Sequence, residues 1–226
     1  MNEFKIDVES NCLVLLSGGI GAATLLACLK KQNVEQVNAL FFYYGNCVSK
    51  ERQCAEMLAN YYGVNLRVMD ISNVYGKNMS VKYPVKFESV DDFYIPYRNG
   101  VILSLASALA CVEGNSDIVW GISNTASSHF PDASWGFVES QKEVIKVGTY
   151  GRVGLKTPFL GMEKFSVVRL AEGLDVPLKL TWSCIQSCEI ACGKCFGCFD
   201  REFSMRALGP VDTKVEMDIT REMRDE

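Results

Sequence analysis

Leu13-Val14-Leu15-Leu16-Ser17-Gly18-Gly19-Ile20-Gly21 is the stretch on which the fold turns. Four apolar residues make a short buried strand, the glycines make a turn, and Leu25, Leu26 and Leu29 then recur on one face of a helix. The unit repeats. Val37 to Tyr44 ends at Gly45, and Ser49 to Tyr62 carries Cys54, Met57, Leu58 and Tyr61 at helical spacing. Leu66 to Met69 is a third strand, Val101 to Cys111 a helix, Ile118-Val119-Trp120 a fourth strand, and Phe165 to Leu170 a further helix. Strands alternating with helices imply right-handed crossovers and an α/β fold, a Rossmann-like parallel sheet with helices on both faces. Residues 72–95 are polar, interrupted by Gly76 and Pro84 and without a period, and read as a lid.

In such a sheet a ligand sits beyond the carboxyl ends of the strands, where backbone N–H groups at a helix N-terminus receive an anion. Ser17, Gly18, Gly19 and Gly21 stand there. A dinucleotide-binding turn fits poorly, because Thr24 occupies the position of its last small residue and Phe41-Phe42-Tyr43-Tyr44 ends the second strand with no ribose-binding acid. A P-loop is excluded, since no Gly-Lys-Ser/Thr follows.

Cys184, Cys192, Cys195 and Cys198 place four thiols within fifteen residues in a chain with one histidine, His129. A Cys-x2-Cys turn presents two thiolates to one side of a metal, Gly193 lets the backbone bend between ligands, and four soft ligands suit a tetrahedral structural Zn²⁺. Cys188 lies in the same loop as an alternative to Cys184, at the expense of a more crowded ring. These features divide the chain into an α/β domain over 1–180, a zinc module over 181–209 and a charged tail over 210–226.

With 226 residues, 48% of them hydrophobic and 22% charged, the chain can bury a large core. No apolar run is long enough to span a membrane and the N-terminus lacks a secretory pattern. Ten cysteines, half of them scattered through apolar segments, suit a reducing, cytoplasmic setting. The formal charge of -4 falls to about -6 with a tetrathiolate zinc, which argues against a nucleic-acid partner held by bulk electrostatics. A homodimer is left open.

Taken in order, Ser17-Gly18-Gly19, Tyr44-Gly45, Ile95-Pro96-Tyr97-Arg98-Asn99, Gly121, Ser128-His129-Phe130-Pro131-Asp132, Thr157-Pro158 with Lys164, and Thr181-Trp182-Ser183-Cys184 leading to the cysteines and Arg201 resemble one family. That family is the QueC-like 7-cyano-7-deazaguanine synthases of queuosine biosynthesis, pyrophosphatase-loop ATPases with an adenine nucleotide alpha hydrolase-like fold, and the match spans residues 11–209. The resemblance implies that ATP, with Mg²⁺, activates the carboxylate of 7-carboxy-7-deazaguanine as an acyl adenylate. Ammonia then gives the amide, and a second activation the nitrile. It assigns ATP to Ser17, Gly18, Gly19, Gly21 and Tyr44, charge neutralisation to Arg98 and Lys164, and the deazaguanine to Asn99, Ser128, Pro131 and Asp132. A carboxylate accepts the N–H donors of a guanine-like edge, so Asp132 is the candidate for base recognition.

The chain departs from the family's Ser-Gly-Gly-x-Asp-Ser loop, with Gly21 and Ala22 in the last two places. Each lost charge-assisted contact weakens the relevant state by about 1.5 to 3 kcal/mol, or about ten- to hundredfold. Asp91 or Asp92 in the lid could replace the missing metal ligand. If these changes merely weaken an existing ATP site, restoring Asp and Ser is expected to raise pyrophosphate release. If the loop has been remodelled around Tyr43 and Val48 for another ligand or for none, the double variant is expected to bind ATP no better than the parent. Tyr43, Asn46, Val48 and Ala126 are further departures. Three readings follow: an enzyme making the amide or nitrile, a ligase that passes the acyl group to another amine such as a protein N-terminus, or a binding or regulatory subunit with a dead ATP loop.

Overall fold

The computed structural model describes residues 4–8, 10–45, 49–75, 94–124, 126, 130–185 and 190–208. Successive side chains of strand β1 (Asn11–Leu15) enter two different cores, as period-two alternation requires of a strand covered on both faces. Cys12 and Val14 join one cluster, Leu13 and Leu15 the other. Strands β2 (Gln36–Tyr43), β3 (Asn65–Asp70), β4 (Asp117–Val119) and β5 (Gly154–Lys156) complete a sheet in the order β3-β2-β1-β4-β5. Every neighbouring pair is parallel.

Helices α1 (Ile20–Lys31), α2 (Ser49–Tyr62) and α5 (Lys164–Gly173) bury Leu25, Leu26, Leu29, Leu58, Val167 and Val168 against one face. Helices α3 (Arg98–Glu113) and α4 (Trp135–Gly148) bury Leu103, Ala106, Ala110 and Ile145 against the other. Each such leucine or valine contributes about 1.5 to 3 kcal/mol by leaving water. Helix α6 (Phe196–Met205) docks on α5 and so attaches the cysteine-bearing segment to the sheet.

Three elements go beyond the sequence reading. Helix α4 follows the Pro131–Ala133 turn because Ser134 caps it, its hydroxyl accepting the Phe137 N–H at 3.3 Å. Strand β5 has three residues, too few for a visible period. Helix α6 begins within the cysteine cluster itself, with Cys195 as its cap. Most of the expected lid over 72–95, and the tail 210–226, lie outside the described residues. Among the described residues no helix is long and apolar enough to cross a membrane.

The chain leaves β1 toward β2 and β3 on one side and later returns to lay β4 and β5 on the other. The carboxyl ends of β1 and β4 therefore flank the switch point, where an open parallel sheet leaves a crevice.

Candidate functional site

That crevice holds a cavity of about 340 Å³. Its floor is the glycine turn: Ser17, Gly19, Ile20, Gly21 and Ala22 line it, with Gly121 facing them from the end of β4. Gly19 is the cap of α1, so the helix opens its unpaired N–H groups into the cavity. Gly18 does not line the wall but makes the turn possible. Its φ is +77°, and a β-carbon there would collide with the Glu51 carbonyl at the start of α2. Its own carbonyl accepts the Trp182 N–H at 2.9 Å.

Two charged pairs line the cavity. The first joins Arg98, Glu51 and Tyr44. Arg98 opens α3 after Tyr97, a non-glycine residue at φ 56° whose ring lies against Gly100 and would collide with any side chain there. The guanidinium sits 5.1 Å from the Tyr44 ring centroid, a cation–π contact. The Tyr44 hydroxyl donates to Glu51 Oε2 at 3.4 Å. Burial pushes the Glu51 carboxyl up to about 7, against the opposing pull of Arg98 and the Tyr44 hydrogen bond. In the second pair, Lys164 at the start of α5 lies 3.8 Å from Asp200 on α6. Burial lowers the Lys164 pKa, Asp200 raises it, and Arg201 adds to the lowering.

Glu51 and Asp200 are site residues absent from the sequence reading. Glu51 had a readable signal, since it lies in line with Cys54, Ala55 and Leu58 on the buried stripe of α2, where an acid is out of place. Asp200 had none beyond its position before Arg201.

The structure brings Ser17, Gly19, Gly21, Tyr44, Arg98 and Lys164 around one cavity but leaves Asn99, Pro131 and Asp132 off its wall. Asp132 is buried and accepts the Asn99 N–H at 2.9 Å, while Asn99 Nδ2 donates to the Asp132 carbonyl at 3.1 Å. These contacts satisfy the start of α3, and so hold Arg98 in place. The wall instead receives Phe130 and Ala126. Ser128 and His129 lie outside the described residues, as do Asp91, Asp92, Asn46, Val48 and Cys188.

The sulfurs of Cys184, Cys192, Cys195 and Cys198 all lie within 4.8 Å of one another. The Cys192–Cys198 and Cys184–Cys195 separations are each 3.9 Å. A tetrahedron with metal–sulfur bonds of about 2.3 Å has edges of about 3.8 Å, so the four thiols fit a single metal ion. A cluster interposing several metal atoms needs its thiolates further apart. The N–H groups of Cys192 and Cys198 each point at a sulfur, of Cys184 and Cys195, at 3.5 Å. Such bonds stabilise thiolate charge. Gly193 has φ +69°, as its place between two ligands requires.

This segment is also a wall of the cavity, through Trp182, Ser183, Ile185, Phe196, Gly197 and Asp200. Arg201 locks it from behind: its guanidinium donates to Thr181 Oγ1 at 2.7 Å, to the Leu178 carbonyl at 2.9 Å and to Ser183 Oγ at 3.4 Å. Gly197 packs so closely on the Ser183 carbonyl that a β-carbon would collide with it.

A parallel sheet in this order, with a glycine turn and a helix N-terminus at its switch point, defines a fold like that of the pyrophosphatase-loop ATPases. Solved structures share it at low identity. The U34-tRNA thiolase NcsA from Methanococcus maripaludis, with its [4Fe-4S] cluster, superposes with a TM-score of 0.53 at 16% identity, over 98% of this chain and 73% of that one. The NH3-dependent NAD synthetase from Campylobacter jejuni gives 0.50 at 17%, over 76% and 67%. Within this fold the chain belongs to the family of queuosine biosynthesis protein QueC, whose family model matches residues 11–209. The 7-cyano-7-deazaguanine synthase of Methanospirillum hungatei is 33% identical over 212 residues, 88% of this chain and 96% of that protein. That of Campylobacter fetus is 34% identical over 194 residues, 81% and 87% of the two chains.

The geometry bears on the two outcomes expected of restoring an acid at position 21. A β-carbon on Gly21 would stand 2.5 Å from the Gly121 carbonyl oxygen, and one on Gly121 2.8 Å from the Gly21 carbonyl carbon. The loop packs backbone against backbone on the residues that follow β4, and Gly21→Asp must force the two apart. Overpacking of this kind costs about 1 to 3 kcal/mol, so the variant melts below the parent and binds ATP no more tightly. A Gly21→Asp protein with the parent's melting temperature and tighter ATP binding contradicts this packing.

Proposed function

We propose that this chain is an ATP-dependent enzyme that adenylates the carboxylate of 7-carboxy-7-deazaguanine, releases pyrophosphate and passes the acyl group to ammonia with loss of AMP, giving the amide, or the nitrile after a second ATP-dependent activation carries off the amide oxygen. The observation that carries the reading is the placing of two cations, Arg98 and Lys164, on the wall of a cavity floored by a helix N-terminus. Membership of the QueC family supplies the substrate class.

In this reading Ser17, Gly19 and Gly21 receive the β and γ phosphates of ATP on backbone N–H groups and the Ser17 hydroxyl. Arg98 and Lys164 neutralise charge that grows on the departing pyrophosphate and on the carboxylate as it attacks the α phosphorus. Donors already aimed at developing charge require no reorganisation during the reaction, which is where most electrostatic catalysis comes from. The acid partners Glu51 and Asp200 keep each cation compensated before the anions arrive. Tyr44 holds Arg98 by its ring. Asn99, Ser128, Pro131 and Asp132 serve the deazaguanine side of the site, Asp132 through its hold on Asn99 and the start of α3. Mg²⁺ accompanies ATP as its counter-ion.

The metal at the four cysteines is Zn²⁺ in a structural role. Four thiolates leave no coordination position for water or substrate, and the cluster's work is to hold the Trp182–Ile185 wall against the glycine turn. Buried free thiols at Cys12, Cys28 and Cys54 suit the reducing cytoplasm.

Freshly purified protein should contain one zinc per chain, and Cys195→Ser should lose both the zinc and the fold of the segment from 181 to 202. Metal-free protein whose melting temperature is indifferent to chelator contradicts the assignment. Incubation with Mg²⁺-ATP, 7-carboxy-7-deazaguanine and ammonia should yield pyrophosphate and, by mass spectrometry, the deazaguanine amide or nitrile. No pyrophosphate release with ammonia or any other amine tested would instead make the chain a binding subunit.

A further inference from the structure

We infer that Glu51 is the general base of the site, the group that takes the proton from the amine as it attacks the acyl adenylate. The inference rests on the adenylating reading above and goes beyond it by assigning the second half-reaction to a residue.

Amide formation needs a proton acceptor. Ammonia attacks with its lone pair; the new C–N bond forms, the acyl–oxygen bond to AMP breaks with its electrons going to the AMP phosphate, and the nitrogen must lose a proton to become a neutral amide. At neutral pH most of the available nucleophile is ammonium, which also requires deprotonation before it can react. A carboxylate inside the cavity both attracts that cation and accepts its proton.

Two carboxylates, Glu51 and Asp200, line the cavity among the described residues. Asp200 is paired with the ammonium of Lys164 at 3.8 Å, and its helix belongs to the cysteine-bearing wall. Glu51 is carried instead by α2, where its own backbone carbonyl packs on Gly18 of the glycine turn. One of its oxygens accepts the Tyr44 hydroxyl, and a carboxylate has further lone pairs for a nucleophile. The charged and titratable groups near it are Cys54 one turn further along its own helix, Tyr44 after β2 and Arg98 at the start of α3, with Lys164 and Asp200 on the wall of the same cavity.

Arg98 couples the two half-reactions. Its charge holds the Glu51 proton affinity down while burial pushes it up, to a value of about 7. Once a phosphate anion engages Arg98, that restraint weakens and the anion adds its own negative field. Both changes raise the affinity of Glu51 for a proton. The base is thus strengthened at the stage at which the adenylate is present and the amine must be deprotonated. A general base works best with a pKa near the working pH, and contributes about a hundred- to ten-thousandfold.

Glu51→Gln keeps the volume and one acceptor oxygen but cannot take a proton. Two readouts on the full chain separate the half-reactions: carboxylate-dependent exchange of labelled pyrophosphate into ATP, which reports adenylation, and amide formation from ammonia. At a fixed concentration of free ammonia, amide formation in the parent should rise with pH to a plateau, with a midpoint above the resting value of about 7, because only the ionised carboxylate accepts the proton and the bound phosphate raises its affinity. In Glu51→Gln, amide formation should fall about a hundredfold or more and lose that rise, while exchange falls less than about tenfold. Glu51→Asp, which keeps a carboxylate on a shorter stem, should recover part of the rate and the pH dependence, and so excludes a folding defect as the cause. If both half-reactions fall together in Glu51→Gln, or amide formation keeps its rise with pH, the inference is overturned while the adenylating reading stands. A parent with no exchange at any pH overturns that reading first, and this inference with it.

Discussion

One backbone hydrogen bond, from the Trp182 N–H to the Gly18 carbonyl at 2.9 Å, joins the two halves of the site. Gly18 holds the turn between β1 and α1 in a left-handed conformation, and Trp182 lies two residues before Cys184, the first of the four clustered cysteines. Helix α2 closes on Gly18 from the other side through the Glu51 carbonyl, and Lys50 lies 5.9 Å from the Trp182 ring centroid. Three segments far apart in sequence thus meet at one glycine. The glycine turn is thereby tied to the segment that leads into the cysteine cluster, and the Arg201 guanidinium holds that segment on both sides of Trp182, at Leu178 and Thr181 before it and Ser183 after it.

The same convergence sets the electrostatics. Arg98 and Lys164 are carried by the first turns of two helices on opposite faces of the sheet, and each meets an acid from a different element, Glu51 from α2 and Asp200 from α6. A buried cation without a partner is costly, and one that is paired can be transferred to an incoming anion. The loss of the loop acid at position 21 sits in this context. Gly21 and Gly121 press their backbones together, so the loop has lost room for a side chain as well as the carboxylate. Ala126, another departure from the family pattern, faces the same space.

Most of the architecture was legible in the sequence because the strands are short, apolar and closed by turns, and because the helix of residues 49–62 carries Cys54, Leu58 and Tyr61 at helical spacing. The four thiols announced a metal through spacing alone, and the structure brings all four together. The helix N-terminus at Gly19 also stands where the glycine turn placed it, while the helix expected from Val101 begins three residues earlier, at Arg98. What escaped is instructive in physical terms. Helix α6 starts at a cysteine whose sulfur, rather than a hydroxyl or carboxylate, accepts the capping N–H, so no ordinary start signal marks it. Asp132 is the candidate for base recognition because a carboxylate accepts the N–H donors of a guanine-like edge, and the structure adds that this carboxylate also receives the backbone N–H of Asn99, thirty-three residues away. Such a long-range cap has no local trace. Glu51 was hidden by the opposite ambiguity, since one acid in the first turn of a helix is what a helix dipole favours anyway.

Hydrogen exchange on the metal-loaded and chelator-treated protein tests most directly whether the cysteine segment and the phosphate turn are one mechanical unit. Removing the metal should raise exchange at residues 182–198 and, together with it, at the amides of 17–22 that open α1, while β1 and β2 keep their protection. A turn whose protection is unchanged after the cysteine segment has opened would show that the Trp182–Gly18 bond carries no such dependence.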